Sequence, residues 1–263
     1  MGGKKPCQCG FAAAYIASYS YVHNTNYRNT NLLQKVCKFA LMEIRRRIYN
    51  LFEENTYLID CPDGQTVVVD PGFSNEEEKR DFLSYLRGRV CAVLLTHAHP
   101  DHIYGAKFLQ DEFGAKVYMN SRDRSTIESL ERMTQRFSIE KPDSSFETSE
   151  ASEQQHISAG GFDFEVIETP GHSPGGVCYL LRQEKILFSG DTLFAGAIGR
   201  SDLPGGEYDD LIRSIMEKLI FLDADITVLP GHAGQTSIGR ERTSNPFLEP
   251  FNEREEIEEL KES

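Results

Sequence analysis

Apolar and polar positions along the chain follow two different periods, and the switches between them divide it into strands and helices. Alternation and β-branching predict strands near Asn55–Asp60 and Thr66–Asp70, with Cys61-Pro62-Asp63-Gly64-Gln65 as a hairpin turn between them. Asn75–Arg87 reads as a helix, because its first turn is acidic and an Arg stands near its end, in accord with the helix dipole. Val90–Leu95 is an apolar run of the kind that forms a strand buried on both faces. A helical stretch over Asp101–Glu112 follows, then a short strand over Lys116–Met119 and a second helical stretch over Ser121–Arg132. Ser144–Gln155 is polar and acidic and is expected to be a mobile, solvent-exposed linker. Beyond it the theme repeats, with strands over Phe162–Glu168, Gly176–Leu181, Lys185–Ser189 and Ile226–Leu229. Tyr208–Phe221 is an amphipathic helix in which Leu211, Ile212, Ile215, Met216, Leu219 and Ile220 recur at helical spacing and belong to the core. Strand-then-helix order in both halves predicts an α/β (α+β) fold of two mixed sheets packed face to face with helices outside.

The 263 residues suffice for one such domain with a full core. A net charge of −13 argues against a nucleic-acid partner, and no stretch reads as a membrane span. Of the six cysteines, Cys91 and Cys178 sit in apolar strand-like runs and read as small buried hydrophobes. Cys7-Gln8-Cys9 lacks the C-x-x-C spacing, and nothing suggests a disulfide framework, so a reducing cytoplasm is the expected location. Residues 1–41 carry Lys4, Lys5, Arg28, Lys35 and Lys38 and no acid, the first acid being Glu43. Three readings stand for this segment: a start assigned upstream of a true Met42, a targeting segment, or an extension for a partner. It lacks the Arg-rich pattern of a transit peptide, and its apolar stretch around Phe11–Ile16 is too short for a signal core or a span. The expected organisation is therefore an extension outside the fold (1–41), a folded domain (42–251) and a charged tail or frayed helix (252–263).

One segment, Thr96-His97-Ala98-His99-Pro100-Asp101-His102, follows neither period. Three imidazoles and a carboxylate so close together serve no packing purpose. They suit zinc, iron or manganese, and a pair of such ions needs about seven or eight protein bonds. The remaining donors are sought downstream, where His172, Asp191 and His232 each stand directly after a glycine. Apolar runs, Lys185-Ile186-Leu187-Phe188 and Ile226-Thr227-Val228-Leu229, precede the last two. Donors at strand ends, held by glycine turns, place a site at one edge of a rigid scaffold. Of the seven histidines only His23 and His156 fall outside this set, and His156, beside the polar linker, reads as a surface or turn residue.

The H-x-H-x-D-H run, followed in order by Gly-His, Gly-Asp and Gly-His between about Glu43 and Leu248, resembles a metallo-β-lactamase-fold hydrolase. Gly190-Asp191-Thr192-Leu193-Phe194-Ala195-Gly196-Ala197-Ile198-Gly199-Arg200-Ser201-Asp202-Leu203-Pro204-Gly205-Gly206 and Glu241-Arg242-Thr243-Ser244-Asn245-Pro246-Phe247 are similar to the glyoxalase II-like (hydroxyacylglutathione hydrolase) branch, short bacterial type. The resemblance implies an αββα sandwich with metals at one edge between the sheets. It implies one ion on His97, His99 and His172, a second on Asp101, His102 and His232, and Asp191 bridging both. Two divalent ions are implied, zinc first, with iron and manganese accepted by the same donors. The implied chemistry is attack of a metal-bridging hydroxide on S-lactoylglutathione or a related small acyl thioester, with Asp101 and Asp191 in catalytic roles. Asp70 is the implied second-layer carboxylate behind the histidines, while Thr96 and Ser173 flank donors and steady their loops.

Substrate recognition departs from the family pattern. The helical domain with which long glyoxalase II enzymes grip glutathione has no counterpart in the sequence after His232. Arg200 and Asp202 stand near where those enzymes place a Lys and a Tyr. Arg200 is a candidate clamp for a substrate carboxylate, and equally a structural ion-pair partner of Asp202 or Glu241. Arg242 and Asn245 read as structural. The alternative function is a mononuclear iron persulfide dioxygenase, in which the equivalents of His97, His172 and Asp191 hold one iron. A β-lactamase of the main di-zinc class lacks a His after the Asp, where this chain has His102. A metal-dependent scaffold would not be expected to keep an intact donor set. The partner is expected to be a small-molecule thioester, a glutathione conjugate among the candidates.

Overall fold

A strand that is apolar at nearly every position has to be covered on both faces, and that requirement organises the two sheets. The structure is a computed structural model and describes residues 42–248; the predicted extension 1–41 and tail 252–263 lie outside the described residues. The first sheet runs in order β1 (Glu43–Tyr49), β2 (Glu54–Asp60), β3 (Thr66–Val69), β4 (Val90–Leu94), β5 (Lys116–Met119) and β6 (Thr148–Glu150). Its first two pairings are antiparallel and the other three parallel. The second half supplies β7 (His156–Ala159), β8 (Phe162–Glu168), β9 (Val177–Leu181), β10 (Ile186–Gly190), β13 (Thr227–Pro230) and β14 (Thr236–Ser237). These form a sheet in the order β14-β13-β10-β9-β8-β7, parallel only between β10 and β13. A small hairpin, β11 (Leu193–Phe194) with β12 (Ala197–Ile198), stands apart from both.

Alternate side chains of each strand go to opposite layers. Tyr57, Ile59, Val67, Val69, Ala92 and Leu94 meet Phe164, Val166, Val177, Tyr179, Leu181 and Phe188 in the core between the sheets. On the outer face of the first sheet, Leu58, Val68 and Val93 pack in one cluster with Phe82 of α1 (Glu76–Tyr85), Leu109 of α3 (Ala106–Phe113) and Leu130 of α4 (Arg124–Phe137). On the outer face of the second, Cys178, Leu180, Leu187 and Val228 cluster with Leu211 of α5 (Tyr208–Ser214) and with Ile215 and Leu219 of the π-helical turn that continues it. The result is the αββα sandwich that the resemblance implies. Hydrogen bonds also tie the sheets together at one edge. Tyr179 Oη donates to Leu95 O (2.8 Å), Tyr57 Oη to Pro230 O (2.8 Å) and the Asn55 N–H to Gly231 O (2.7 Å).

Two predicted elements differ. The helix expected over Asp101–Glu112 is broken into α2 (Pro100–Ile103) and α3, because Gly105 is drawn against the loop after β3. Its N–H donates to Pro71 O at 2.7 Å, and a Cβ there would lie 2.2 Å from the Phe73 ring. Ser144–Gln155 is not a free linker, since it contains β6, with Phe146 and Ala151 buried on either side. The amide of Gln110 holds both backbone groups of Glu147 (2.8 Å each), and Asn120 Nδ2 donates to Ala151 O (2.9 Å). A polar edge strand carries no alternating apolar signal, so composition alone reads as loop. His156 is exposed and ion-paired with Asp163 (2.8 Å). Arg242 and Asn245 hold backbone carbonyls of Ile220, Leu222 and Ala197, as expected of structural residues. Cys61, Cys91 and Cys178 are free thiols. Among the described residues no helix is long and apolar enough to cross a membrane.

Tyr179→Phe leaves the buried Leu95 carbonyl without its cross-sheet donor. The expected cost is about 1–3 kcal/mol in denaturant unfolding of the metal-depleted protein; an unchanged midpoint would mean that the bond contributes nothing to joining the sheets.

Candidate metal centre

The central strands deliver the predicted donors from their C-terminal ends. β4 ends at Leu94, and the chain continues through Thr96, His97 and His99 into α2, whose N1 residue is Pro100, so that Asp101 and His102 fall in its first turn. His172 follows β8, Asp191 follows β10 and His232 follows β13. Close packing at this edge demands glycine. A Cβ at Gly231 would lie 2.4 Å from Asp191 Oδ1 and 2.7 Å from His102 Cε1, and Gly190, at φ +48°, leaves no room beside Thr96.

All seven predicted donors come together. His97 Nε2 lies 3.1 Å, and His172 Nε2 2.8 Å, from His99 Nδ1. His232 Nε2 stands 3.4 Å from Asp101 Oδ2 and 3.4 Å from Asp191 Oδ2, while His102 Nε2 lies 3.6 Å from Asp101 Oδ2 and 3.5 Å from Asp191 Oδ1. Asp191 Oδ2 is also 3.4 Å from His172 Nε2, so this carboxylate touches both groups. The sets His97/His99/His172 and Asp101/His102/His232 each gather their donor atoms within 4.8 Å of one another.

The outward-facing ring nitrogens fix the tautomers. His172 Nδ1 donates to Arg200 O (2.6 Å) and His232 Nδ1 to Phe52 O (2.9 Å). His102 Nδ1 pairs with Asp70 Oδ2 (3.1 Å). Asp70 also takes the Thr96 N–H (2.7 Å) and the Thr96 hydroxyl proton (2.6 Å), which leaves Thr96 Oγ1 to accept from His97 Nδ1 (3.1 Å). With Nδ1 donating outward, the inner nitrogens of His97 and His172 face the same point, His99 Nδ1. His99 Nε2, His102 Nε2 and Asp191 Oδ1 are buried without a hydrogen bond, the last two 3.5 Å from each other. Converging lone pairs and orphaned basic atoms are what a cation satisfies, so the residues present fit divalent metal ions.

The same crowding divides the protonation states in the metal-free protein. Burial, with His102 next in effect, lowers His97 far below the ordinary range; burial and His172 bring His99 down to about 3. Burial also disfavours charge on His102 and His232, but carboxylates outweigh it. Asp101, Asp191 and Asp70 raise His102, and chiefly Asp191 and Asp101 lift His232 to about 11. Asp191 is driven well down by His102 and His232 in spite of its burial.

Three supporting residues escaped the sequence analysis. Asp123, just before α4, accepts from the Ala98 N–H (2.7 Å), the Gly175 N–H (2.6 Å) and Ser173 Oγ (3.1 Å), and so ties the His97–His99 loop to the His172 loop. Asn50, at φ +55°, donates to the carbonyls of Gly72 (3.0 Å) and Asp101 (3.1 Å). Glu54 is fully buried, burial followed by Asp70 raises it well above the ordinary range, and its Oε2 accepts from Thr56 (2.8 Å). None of the three lies in a recognisable spacing, because each acts across the fold.

A cleft of about 340 Å³ opens onto His99, Asp101, Asp191 and His232. Phe52, Phe137, Phe194 and Leu203 form much of its wall, and Arg200 stands among them. The Arg200 fork is engaged by Asp202 at 2.7 and 2.6 Å, while Glu241 bonds elsewhere, to Gly196 and Thr236.

The family model described as the metallo-beta-lactamase superfamily matches residues 49–232. Hydroxyacylglutathione hydrolase GloC of Haemophilus influenzae is 37% identical over 75% of this chain and 93% of its own length. The crystal structure of BLEG-1 B3 metallo-beta-lactamase is 33% identical, with a TM-score of 0.72 over 78% of this chain and 99% of that one. TTHA1623 in a di-iron-bound form is also 33% identical, with a TM-score of 0.69 over 78% and 100%.

A metal must displace the proton of His232, lifted to about 11, but finds His97 and His99 already neutral at pH 7. Loading the Asp101/His102/His232 group should therefore release about one proton per chain or more and strengthen as pH rises. Calorimetric titration of metal-depleted protein in buffers of different ionisation enthalpy reads this number. Proton release near zero would contradict the assigned protonation states.

Proposed function

The chain belongs to the metallo-beta-lactamase superfamily and is a metallo-hydrolase of it, and from that premise we propose that it hydrolyses S-lactoylglutathione or a related small acyl thioester, in the manner of glyoxalase II. His97, His99 and His172 would hold one divalent ion, and Asp101, His102 and His232 a second, with Asp191 serving both. Zinc is the metal expected first, and iron and manganese suit the same donors. When bound, such ions supply Lewis acidity toward a carbonyl oxygen and a water acidic enough to serve as nucleophile near neutral pH.

The chain's own residues account for the rest. Asp101 and Asp191 orient the attacking water; before any ion binds, neighbouring histidines already hold both carboxylates below their ordinary range. Asp70 fixes the ring of His102, and through Thr96 that of His97, so the donors need no reorganisation. Arg200 is the cationic contact the cleft wall offers a substrate, in competition with Asp202. The observation that carries the thioester reading is the composition of that wall. Among the described residues lining the cleft none is a Tyr, Lys, Ser or Cys that could protonate a poor leaving group. A thiolate, whose conjugate acid has a pKa of about 8.5, leaves without such help. The name of the Haemophilus influenzae relative supports the same chemistry. A mononuclear iron persulfide dioxygenase would use His97, His172 and Asp191 and leave the Asp101/His102/His232 group without a task.

Metal content of anaerobically purified protein, measured together with S-lactoylglutathione hydrolysis, tests this. About two ions per chain with turnover is the expected result, and His99→Ala or Asp191→Ala should lose both. About one iron per chain, with oxygen uptake on glutathione persulfide, would replace the hydrolase by the dioxygenase. Asp70→Ala should weaken metal binding by about 10–100-fold while leaving the fold intact; unaltered affinity would remove Asp70 from the site.

A further inference from the structure

The end of α4 builds one wall of the cleft by a specific turn. Ser138 adopts the left-handed conformation (φ +54°), and the Ile139 N–H returns to Thr134 O at 3.0 Å. Both Phe137 and Ile139 consequently line the cleft, with Met133 one turn earlier. Phe52, from the turn between β1 and β2, meets Phe137 edge-to-face, with ring centroids 5.6 Å apart. The carbonyl of Phe52 holds His232, so this aromatic jaw is registered directly to the donor set. Leu51, next to it in the chain, is 85% exposed.

Charge and size both narrow what can enter. Glutathione carries two carboxylates, and a carboxylate taken into this wall without a partner would be strongly disfavoured. Arg200, the one Arg or Lys among the described lining residues, has its fork on Asp202; the Arg136 guanidinium is 5.8 Å from the Phe137 ring centroid. At about 340 Å³ the cleft is near the small end of ligand pockets, which run from roughly 300 to 1,000 Å³. That suits one half of a thioester.

We propose that the cleft selects thioesters with an uncharged aliphatic acyl chain, which lies between Phe52, Phe137 and Leu203 while the thiol carrier extends over the open rim. This rests on the thioesterase reading and makes Phe137 a specificity-determining residue. The test uses the metal-loaded full chain and a series of acetyl, butyryl and hexanoyl thioesters on one neutral thiol, N-acetylcysteamine, with S-lactoylglutathione alongside. Specificity, kcat/KM, should rise about fourfold per added methylene, and the hexanoyl ester should exceed S-lactoylglutathione. Phe137→Ala should flatten the rise and Phe137→Leu should restore part of it, with metal content reporting that each variant is folded. A flat or falling series, or a preference for S-lactoylglutathione, would overturn the acyl-chain proposal and leave the thioesterase standing. Failure to hydrolyse any thioester at full metal occupancy would overturn both.

Discussion

Basic atoms crowded at hydrogen-bond distance repel unless a proton or a cation lies between them. The fold brings seven donor side chains into that crowding. The rings of His97, His99 and His172 converge at 2.8–3.1 Å, and Asp101, Asp191, His102 and His232 crowd beside them. Carboxylates raise His102 and His232, so protons ease that group. Burial lowers His97 and His99, so protonation does little to ease the other. Cations relieve both, so the surrounding structure is best understood as what holds the donors in place before any ion arrives.

That holding is shared between packing and buried polar bonds. Strands covered on both faces fix where β4, β8, β10 and β13 end, and therefore where each donor begins. Asp70 and Asp123 then lock the loops that packing alone would leave free, each accepting backbone N–H groups that would otherwise be buried unpaired. Asn50 does the same for the carbonyl of Asp101 from the turn that also carries Phe52. The wall of the cleft and the orientation of the donors are thus set by the same few elements, which links specificity to the site's rigidity.

How much of this was legible in the sequence depended on distance along the chain. The H-x-H-x-D-H run, and the glycine before each later donor, stand out because their spacing is local. Strands β2 to β5, β8 to β10 and β13, and most helices, follow from the apolar pattern. The break at Gly105 did not show, because its cause is Phe73 and Pro71, some thirty residues away. β6 did not show because an edge strand bonded through Gln110 and Asn120 needs no apolar alternation. Asp123, Asn50 and Glu54 stand in no local spacing that marks them. Their roles exist only once distant segments meet.

The central claim is that the donors form two adjoining cation sites with Asp191 between them. Anomalous diffraction at the zinc absorption edge, on crystals of zinc-loaded protein, tests it most directly. The account predicts two peaks, one ringed by His97, His99 and His172 and the other by Asp101, His102 and His232, with Asp191 reaching both. A single peak on His97, His172 and Asp191, with the second group empty at saturating metal, would contradict it.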